Sequence, residues 1–446
     1  DVFVRGFERP NLFFEVVHTR SQDEKEERIQ SLVDHYPGES IVVYCATRKQ
    51  VEEVRAALKR RKVSVGIYHG GMSDAERERA QDAWMQKRVA VLVATNAFGM
   101  GVDKADVRAV VHYNLPGSLE AYYQEAGRAG RDGEPANCLL LFNYGDRGIH
   151  EFFTDNSYPA RGTVRQVWRA VRALGVGTHA VSPEQIARHC DGVHNMGVET
   201  CLRSFRYHGH IDFGYRDGRP WLAVNDDAEA SDLRLDWDQG ETRRRIAEQQ
   251  LEDVVRYASH RICRPGQIVG YFGGKATFGE RCGGCDVCCG PPQYAIENAP
   301  PPRSIRVSCP PDIALKKLLA GVARTRGKWG AHAVASMLRG SRAKKVLSAK
   351  LDRLSTYGIL SEVGQDDLVH LLDILTRYGT VARNEHGCLS LTPEGHAVMT
   401  GKADPPADLH ALLVATLNAK RSSGGRASET PRKAPKKAPP RPPDGE

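Results

Sequence analysis

A chain of 446 residues is long enough for about three domains, and with 41% hydrophobic and 26% charged residues it has a globular composition, not that of a disordered chain or a membrane bundle. No apolar run approaches the ~20 residues of a spanning helix, and the opening DVFVRGFERP lacks the basic-then-apolar order of a signal peptide. The net charge of +8 is unevenly placed: residues 312–353 hold eleven Lys/Arg against two acids and residues 421–446 seven against three, two basic surfaces that point to a polyanion, nucleic acid first.

In chain order, residues 1–158 are expected to form an α/β domain. Apolar runs predict strands over 40–45, 63–68, 89–94, 107–113 and 138–142, separated by helices over 49–62, 73–86 and 118–129, the second opened by a Ser73/Glu76 capping box. Strands alternating with helices imply a parallel sheet with ligands at the strand carboxyl ends. Residues 159–240 change character. Helices over 163–174, from 182 and over 198–208, then a hairpin turning at Arg216-Asp-Gly-Arg219, suggest an inserted winged helix. A long helix over 241–257 leads into a cysteine cluster assigned to residues 241–295. After a Pro-rich linker, helices and a second hairpin over 381–391, with His386 at its tip, form a second winged helix within 296–402. Residues 403–446 form a basic, Pro-rich tail expected to be disordered.

Two constellations carry chemistry. Thr95, Gly99, Gly101 and Asp103 follow a strand directly. Glycines there let a backbone approach a phosphate, and an acid can accept from a ribose hydroxyl. The helix read next carries Gln124, Arg128 and Arg131, the two arginines three apart and so on one helical face. Such a pair can neutralise a triphosphate, and an arginine finger contributes about 10³–10⁵ in rate. Four of the eleven cysteines fall in Cys282-Gly-Gly-Cys285-Asp-Val-Cys288-Cys289, with Cys263 eighteen intervening residues upstream. Spacing of this kind favours a metal over disulfides. Cys263, Cys282, Cys285 and Cys288 make a closed tetrahedral thiolate site for a structural Zn²⁺, with Cys289 as the alternative to Cys288. Gly273-Gly-Lys-Ala-Thr277 lacks the glycine that a phosphate loop needs at its required offset.

These segments resemble a known family. QEAGRAGRDG at 124–133 resembles motif VI of superfamily 2 helicases, ATNAFGMGVD at 94–103 motif V, and VVYCATRKQVE at 42–52 with YHGGM at 68–72 the motif IV region. AFGMG, YYQEAGRAGRDG and FERPN at 7–11 resemble the RecQ family in particular, as do the cysteine array after Tyr271-Phe272 and the segment 312–400, similar to that family's RQC winged helix. The resemblance implies a RecA-like domain followed by winged-helix and zinc modules in an ATP-dependent 3′-to-5′ DNA helicase of repair and recombination in the bacterial cytoplasm. Arg131 matches the arginine finger and Arg128 a γ-phosphate or coupling arginine, with Gln124 beside them in motif VI. Gly101 and Asp103 fall on the nucleotide side. Arg48 and Thr95 match contacts to the tracking strand, while Arg339, Ser341, Lys344 and Lys345 would hold duplex phosphates. No Walker A loop or magnesium-binding Asp-Glu pair matches, so ATP and Mg²⁺ would need a first RecA-like domain, and the start of the chain reads as a cut within a longer protein. The other reading is a non-enzymatic DNA-binding factor that keeps one RecA-like lobe.

Overall fold

The computed structural model describes residues 8–99, 103–279, 281–292, 305–384 and 387–419; Gly101, His386 and the tail from 420 lie outside them. The first domain is built on β1 (Leu12–His18), β2 (Ser40–Tyr44), β3 (Val65–Tyr68), β4 (Val91–Ala94), β5 (Val107–His112) and β6 (Ala136–Phe142). They form one sheet in the order β1-β6-β5-β2-β4-β3, every pairing parallel. Alternate residues leave a strand on opposite faces, so the apolar runs supply two cores. Ile41, Val43, Val91, Val93, Ala109 and Val111 pack under α1 (Gln22–His35) and α2 (Arg48–Arg60). Val42, Tyr44, Leu92, Ala94 and Val110 face α3 (Asp74–Met85) and α4 (Leu119–Ala126). A sheet buried on both faces explains why its strands read as continuous apolar runs.

The edge strand β1 and helix α1 were not among the expected elements. Ser73 caps α3 with the reciprocal Glu76 bond of a capping box. Helix α4 differs from expectation in stopping at Ala126: Gly127 is its cap, and Gly130 and Gly133 follow with left-handed φ of 53° and 88°. Glycine loses the most chain entropy in a helix, so this run ends α4 in a turn, and Arg128 and Arg131 lie beyond the helix, not on one of its faces.

Helix α5 (Arg147–Ser157) leads into a separate module, α6 (Arg161–Arg172), β7 (Gly177–His179), α7 (Pro183–Ala187), α8 (Asn195–Tyr207), β8 (Ile211–Arg216) and β9 (Arg219–Val224), with its own core around Trp168 and Phe205. The expected hairpin turns at Asp217 and Gly218, both left-handed, and β7 completes an antiparallel sheet in the order β7-β9-β8. Helices α9 (Trp237–Ser259) and α10 (Arg264–Tyr271) return to the first domain, where Leu251, Val254, Tyr257 and Ile268 join the core under α4.

Residues 305–419 form a further unit around Leu318, Val334, Leu338, Leu371 and Leu375. It contains helices Pro311–Arg324, Ala331–Arg339, Lys344–Ser348 and Gln365–Arg377 and the antiparallel hairpin Val381–Arg383/Leu389–Leu391. Among its contacts with the preceding domains, Arg383 lies 4.0 Å from the centre of the Tyr144 ring, Arg20 lies 3.9 Å from Asp367, and Arg261, between α9 and α10, lies 3.6 Å from Asp408 and 4.8 Å from the centre of the Tyr378 ring. A cavity of about 1210 Å³ remains between them, with Arg147, Arg244, Lys328 and Lys345 among its lining residues. Among the described residues, no helix is long and apolar enough to cross a membrane.

Candidate functional site

The parallel strands bring two groups of the sequence-singled residues to different parts of the first domain. At the carboxyl ends of β2, β3 and β4 lie Arg48, the first residue of α2, His69, and Thr95. Arg48 is exposed and spreads over the Gly70-Gly71 turn, where a Cβ on Gly71 would stand 3.1 Å from its Nη1. Thr95 is buried, its amide donating to Tyr68 O at 3.1 Å and its Oγ1 accepting from the Ala97 amide at 3.4 Å.

The arginine loop is elsewhere. Its backbone is fixed at the amino end of β5, with the Gly130 amide donating to Val107 O at 2.9 Å and the Asp132 amide to Ala105 O at 3.3 Å. The strand carboxyl ends, where ligands are expected, therefore carry Arg48 and Thr95 but not the arginine loop. The segment after β4 crosses the domain and meets both arginines: Arg128 Nη1 donates to Gly99 O at 2.8 Å, and Arg131 Nη1 pairs with Asp103 Oδ1 at 2.7 Å. Arg128 Nε is buried without a hydrogen-bond partner among the described residues. Arg131 and Asp103 are exposed, as is Gln124 on α4. One strand thus feeds Thr95 to the first surface and Gly99 and Asp103 to the second.

Residues that sequence reasoning passed over hold the arginine loop. Arg9 donates to the carbonyls of Gly127, Ala129 and Gly130 at 3.3, 3.0 and 2.9 Å, and Asn11 Nδ2 to those of Gly130 and Glu134 at 2.8 and 2.9 Å. Both belong to the quoted FERPN string, which was the available signal. His112 is bonded to Glu125 at 2.8 Å beneath α4.

The cysteine cluster forms as expected. The sulfurs of Cys263, Cys282, Cys285 and Cys288 all lie within 4.8 Å of one another, and thiolates bound at about 2.3 Å to a tetrahedral zinc ion stand roughly 3.8 Å apart. Cys289 is exposed and outside the group, which decides between the two alternatives. Cys285 precedes the short helix α11 (Asp286–Cys289), so Cys288 returns to the same side one turn later while Cys289 points away. Burial pushes the Cys263 thiol up to about 11 and raises that of Cys282 as well, so a bound cation must displace protons from this donor set.

The cluster is fastened to the sheet. Phe14 N donates to Gly284 O at 3.0 Å and Val16 N to Asp286 Oδ2 at 3.3 Å, so the zinc loop extends edge strand β1. Asp286 also receives a fork from Arg264, through Nε to Oδ1 at 2.9 Å and Nη2 to Oδ2 at 3.2 Å. The Tyr271 hydroxyl donates to Glu120 Oε1 on α4 at 2.6 Å. Burial works against it, but this bond and those of Ser118 and Gln250 hold the Glu120 carboxyl below its usual range.

In the last unit, Arg339 ends its helix and Gly340 turns left-handed against Gly358, where a Cβ would meet the Gly358 Cα at 3.1 Å. Tyr357 fixes the turn by donating to Gly340 O at 2.9 Å. Arg339, Arg342, Lys344 and Lys345 emerge exposed from it, with Ser341 half-buried among them. Helix Gln365–Arg377, by contrast, opens with Asp366 and Asp367 and faces the first domain.

Three family models match the chain: the helicase conserved C-terminal domain over residues 24–133, RecQ zinc-binding over 225–289 and the RQC domain over 312–407. The module at 161–224 lies between the first two matches. The ATP-dependent DNA helicase RecQ of Bacillus subtilis is 28% identical over 370 residues, 83% of this chain and 46% of that protein. The ATP-dependent DNA helicase Q1 of Mus musculus is 40% identical over 146 residues, 32% of this chain and 22% of that protein. A crystal structure of a DEAD box protein from the hyperthermophile Methanococcus jannaschii is 25% identical with a TM-score of 0.28, covering 31% of this chain and 38% of that one. The chain spans less than half the length of these relatives. The four cysteines are a structural zinc site in the RecQ zinc-binding segment. With helicase C-terminal, RecQ zinc-binding and RQC segments in that order, the chain belongs to the RecQ family of helicases.

Proposed function

We propose that this chain is the second motor lobe and the DNA-holding part of an ATP-dependent 3′-to-5′ DNA helicase. The observation that carries the reading is the convergence of Arg128 and Arg131 on Gly99 and Asp103. An exposed arginine held only by an exposed acid is free to turn to a triphosphate presented by a Walker A domain. Arg131 then acts as the finger, and Arg128, anchored on Gly99 O, reports the state of the nucleotide to the segment that carries Thr95. Arg48 and Thr95 hold the phosphates of the tracking strand, so a displacement of that segment becomes a step along DNA. Zinc supplies folding free energy and takes no part in the chemistry.

The exposed turn of Arg339, Ser341, Lys344 and Lys345 holds the duplex ahead through its phosphates, without reading sequence. The order helix–strand–helix–helix–strand–strand supports a winged helix inserted at 159–240. The test is Arg131→Ala in a protein that joins this chain to its Walker A domain. DNA-stimulated hydrolysis should fall about 10³-fold or more, with DNA affinity within about twofold. Hydrolysis at the parent rate would remove Arg131 from the finger role.

A further inference from the structure

The short segment before β1 is engaged from two sides. On one side it grips the arginine loop through the five side-chain bonds of Arg9 and Asn11, and the Ala136 amide closes the loop on Asn11 O at 3.0 Å. On the other side it is held by the zinc module. The Glu8 carboxylate accepts from the Thr277 amide at 2.5 Å and from its hydroxyl, while Phe14 and Val16 bond to Gly284 and Asp286.

The loop needs such a grip. Gly127, Gly130 and Gly133 give it the least stiff backbone available, yet a finger must be held within about 0.5 Å to act. A guanidinium is the side chain whose planar fork can serve several carbonyls at once. Arg9 spends its remaining Nε–H on Asn11 Oδ1 at 3.4 Å, which turns the Asn11 amide nitrogen toward the loop. At Gly130 the fit leaves no room: a Cβ would stand 2.5 Å from Asn11 Nδ2 and 2.7 Å from Glu134 O. Arg9 and Asn11 bond the loop's carbonyls and not the side chains of Arg128 or Arg131.

We infer that Arg9 and Asn11 are positioning residues that fix the arginine loop to the zinc module, so that the metal site sets the order of the two nucleotide-facing arginines. This rests on the nucleotide-facing reading above. The first measurement does not. Amide exchange is followed across residues 124–136 in the zinc-loaded chain. Arg9→Met keeps the stem and removes every donor, and it should speed exchange at Gly130, Asp132 and Gly133 about ten-fold or more. Amides of β2 and α10 should stay at parent rates with one zinc still bound, and Arg9→Lys should give an intermediate rate. Removing zinc from the parent with a chelator should loosen the same loop while β2 stays protected.

Unchanged exchange in Arg9→Met overturns the tether, and an unchanged loop after zinc removal overturns its link to the metal. If Arg9→Met lowers protection everywhere, Asn11→Ala replaces it under the same criteria. The second measurement uses the protein joined to its Walker A domain. There Arg9→Met should lower kcat for ATP about ten-fold, change KM less than twofold, and be partly rescued by Arg9→Lys. A loosened loop with unchanged kcat would leave the tether standing and sink the nucleotide-facing reading; a lowered kcat with an unloosened loop would sink the tether.

Discussion

Replacing Arg264 by Met should damage this chain more than any exposed charge could. The side chains of Arg264 and Asp286 are 1% and 9% exposed. Beyond its fork to Asp286, Arg264 Nη1 donates to His260 O at 2.9 Å and to Tyr257 O. Methionine fills most of the volume but leaves the Asp286 carboxylate buried without its counter-charge, between two metal-binding cysteines. Breaking a buried pair in this way costs about 3–5 kcal/mol. At a urea slope of about 1–3 kcal/mol per molar the midpoint should fall by roughly 1–5 M. Zinc release to a chromogenic chelator, followed through the urea transition, reads the unit that contains the pair, so the other domains need not unfold with it. Arg264→Met combined with Asp286→Leu should recover at least half of the loss, because an apolar replacement of both charges strands neither. A loss under about 1 kcal/mol, or a double variant as unstable as the sum of the two single ones, would refute the reasoning.

One zinc per chain should survive Cys289→Ser and be lost in Cys288→Ser, as elemental analysis of purified protein would show. The triple variant Arg339→Ala/Lys344→Ala/Lys345→Ala should weaken duplex binding equally for unrelated sequences and flatten the plot of log affinity against log salt by about 0.9 per lost phosphate contact; a slope unchanged in the variant would make the turn a solvated surface. Burial holds the His18 and His150 imidazoles below their ordinary range, each against a carbonyl, Ala258 O at 3.1 Å and Leu115 O at 2.5 Å. Below that range the unfolded chain binds more protons than the folded one, so this stability is fully present above the ordinary histidine value of about 6.5 and is lost progressively as pH falls from there through the depressed folded-state values. Urea midpoints should drop between pH 7.5 and 5.5, and His150→Asn should make that drop smaller.

Much of the first domain was legible because its strands are buried on both faces, and continuous apolar runs such as Ile41–Tyr44 and Val91–Ala94 leave few other options. The cysteine ligands were legible from spacing alone, though only helix α11 separates Cys288 from Cys289. Strand β1 was missed because Glu15 interrupts an otherwise apolar run and is nevertheless buried. The end of α4 was misplaced because Arg128 and Ala129 are good helix formers between glycines, and the deciding interactions come from Arg9 and Asn11, more than a hundred residues away in sequence. Apart from the FERPN string itself, local pattern carries no trace of such a bond.

The last unit is entered and left at nearly one point. Ile305–Val307 pairs in parallel with Leu417–Ala419, so Ile305 stands beside Leu417 although more than a hundred residues separate them. Paired strands lie about 4.8 Å apart, and a unit whose two ends almost touch can be lifted out or exchanged with little disturbance to its host. A foreign domain of similar end spacing grafted at 305 and 419 would therefore keep the entry and exit of the chain in place, and would give up only the lateral contacts, such as those of Arg383 with Tyr144 and Arg20 with Asp367.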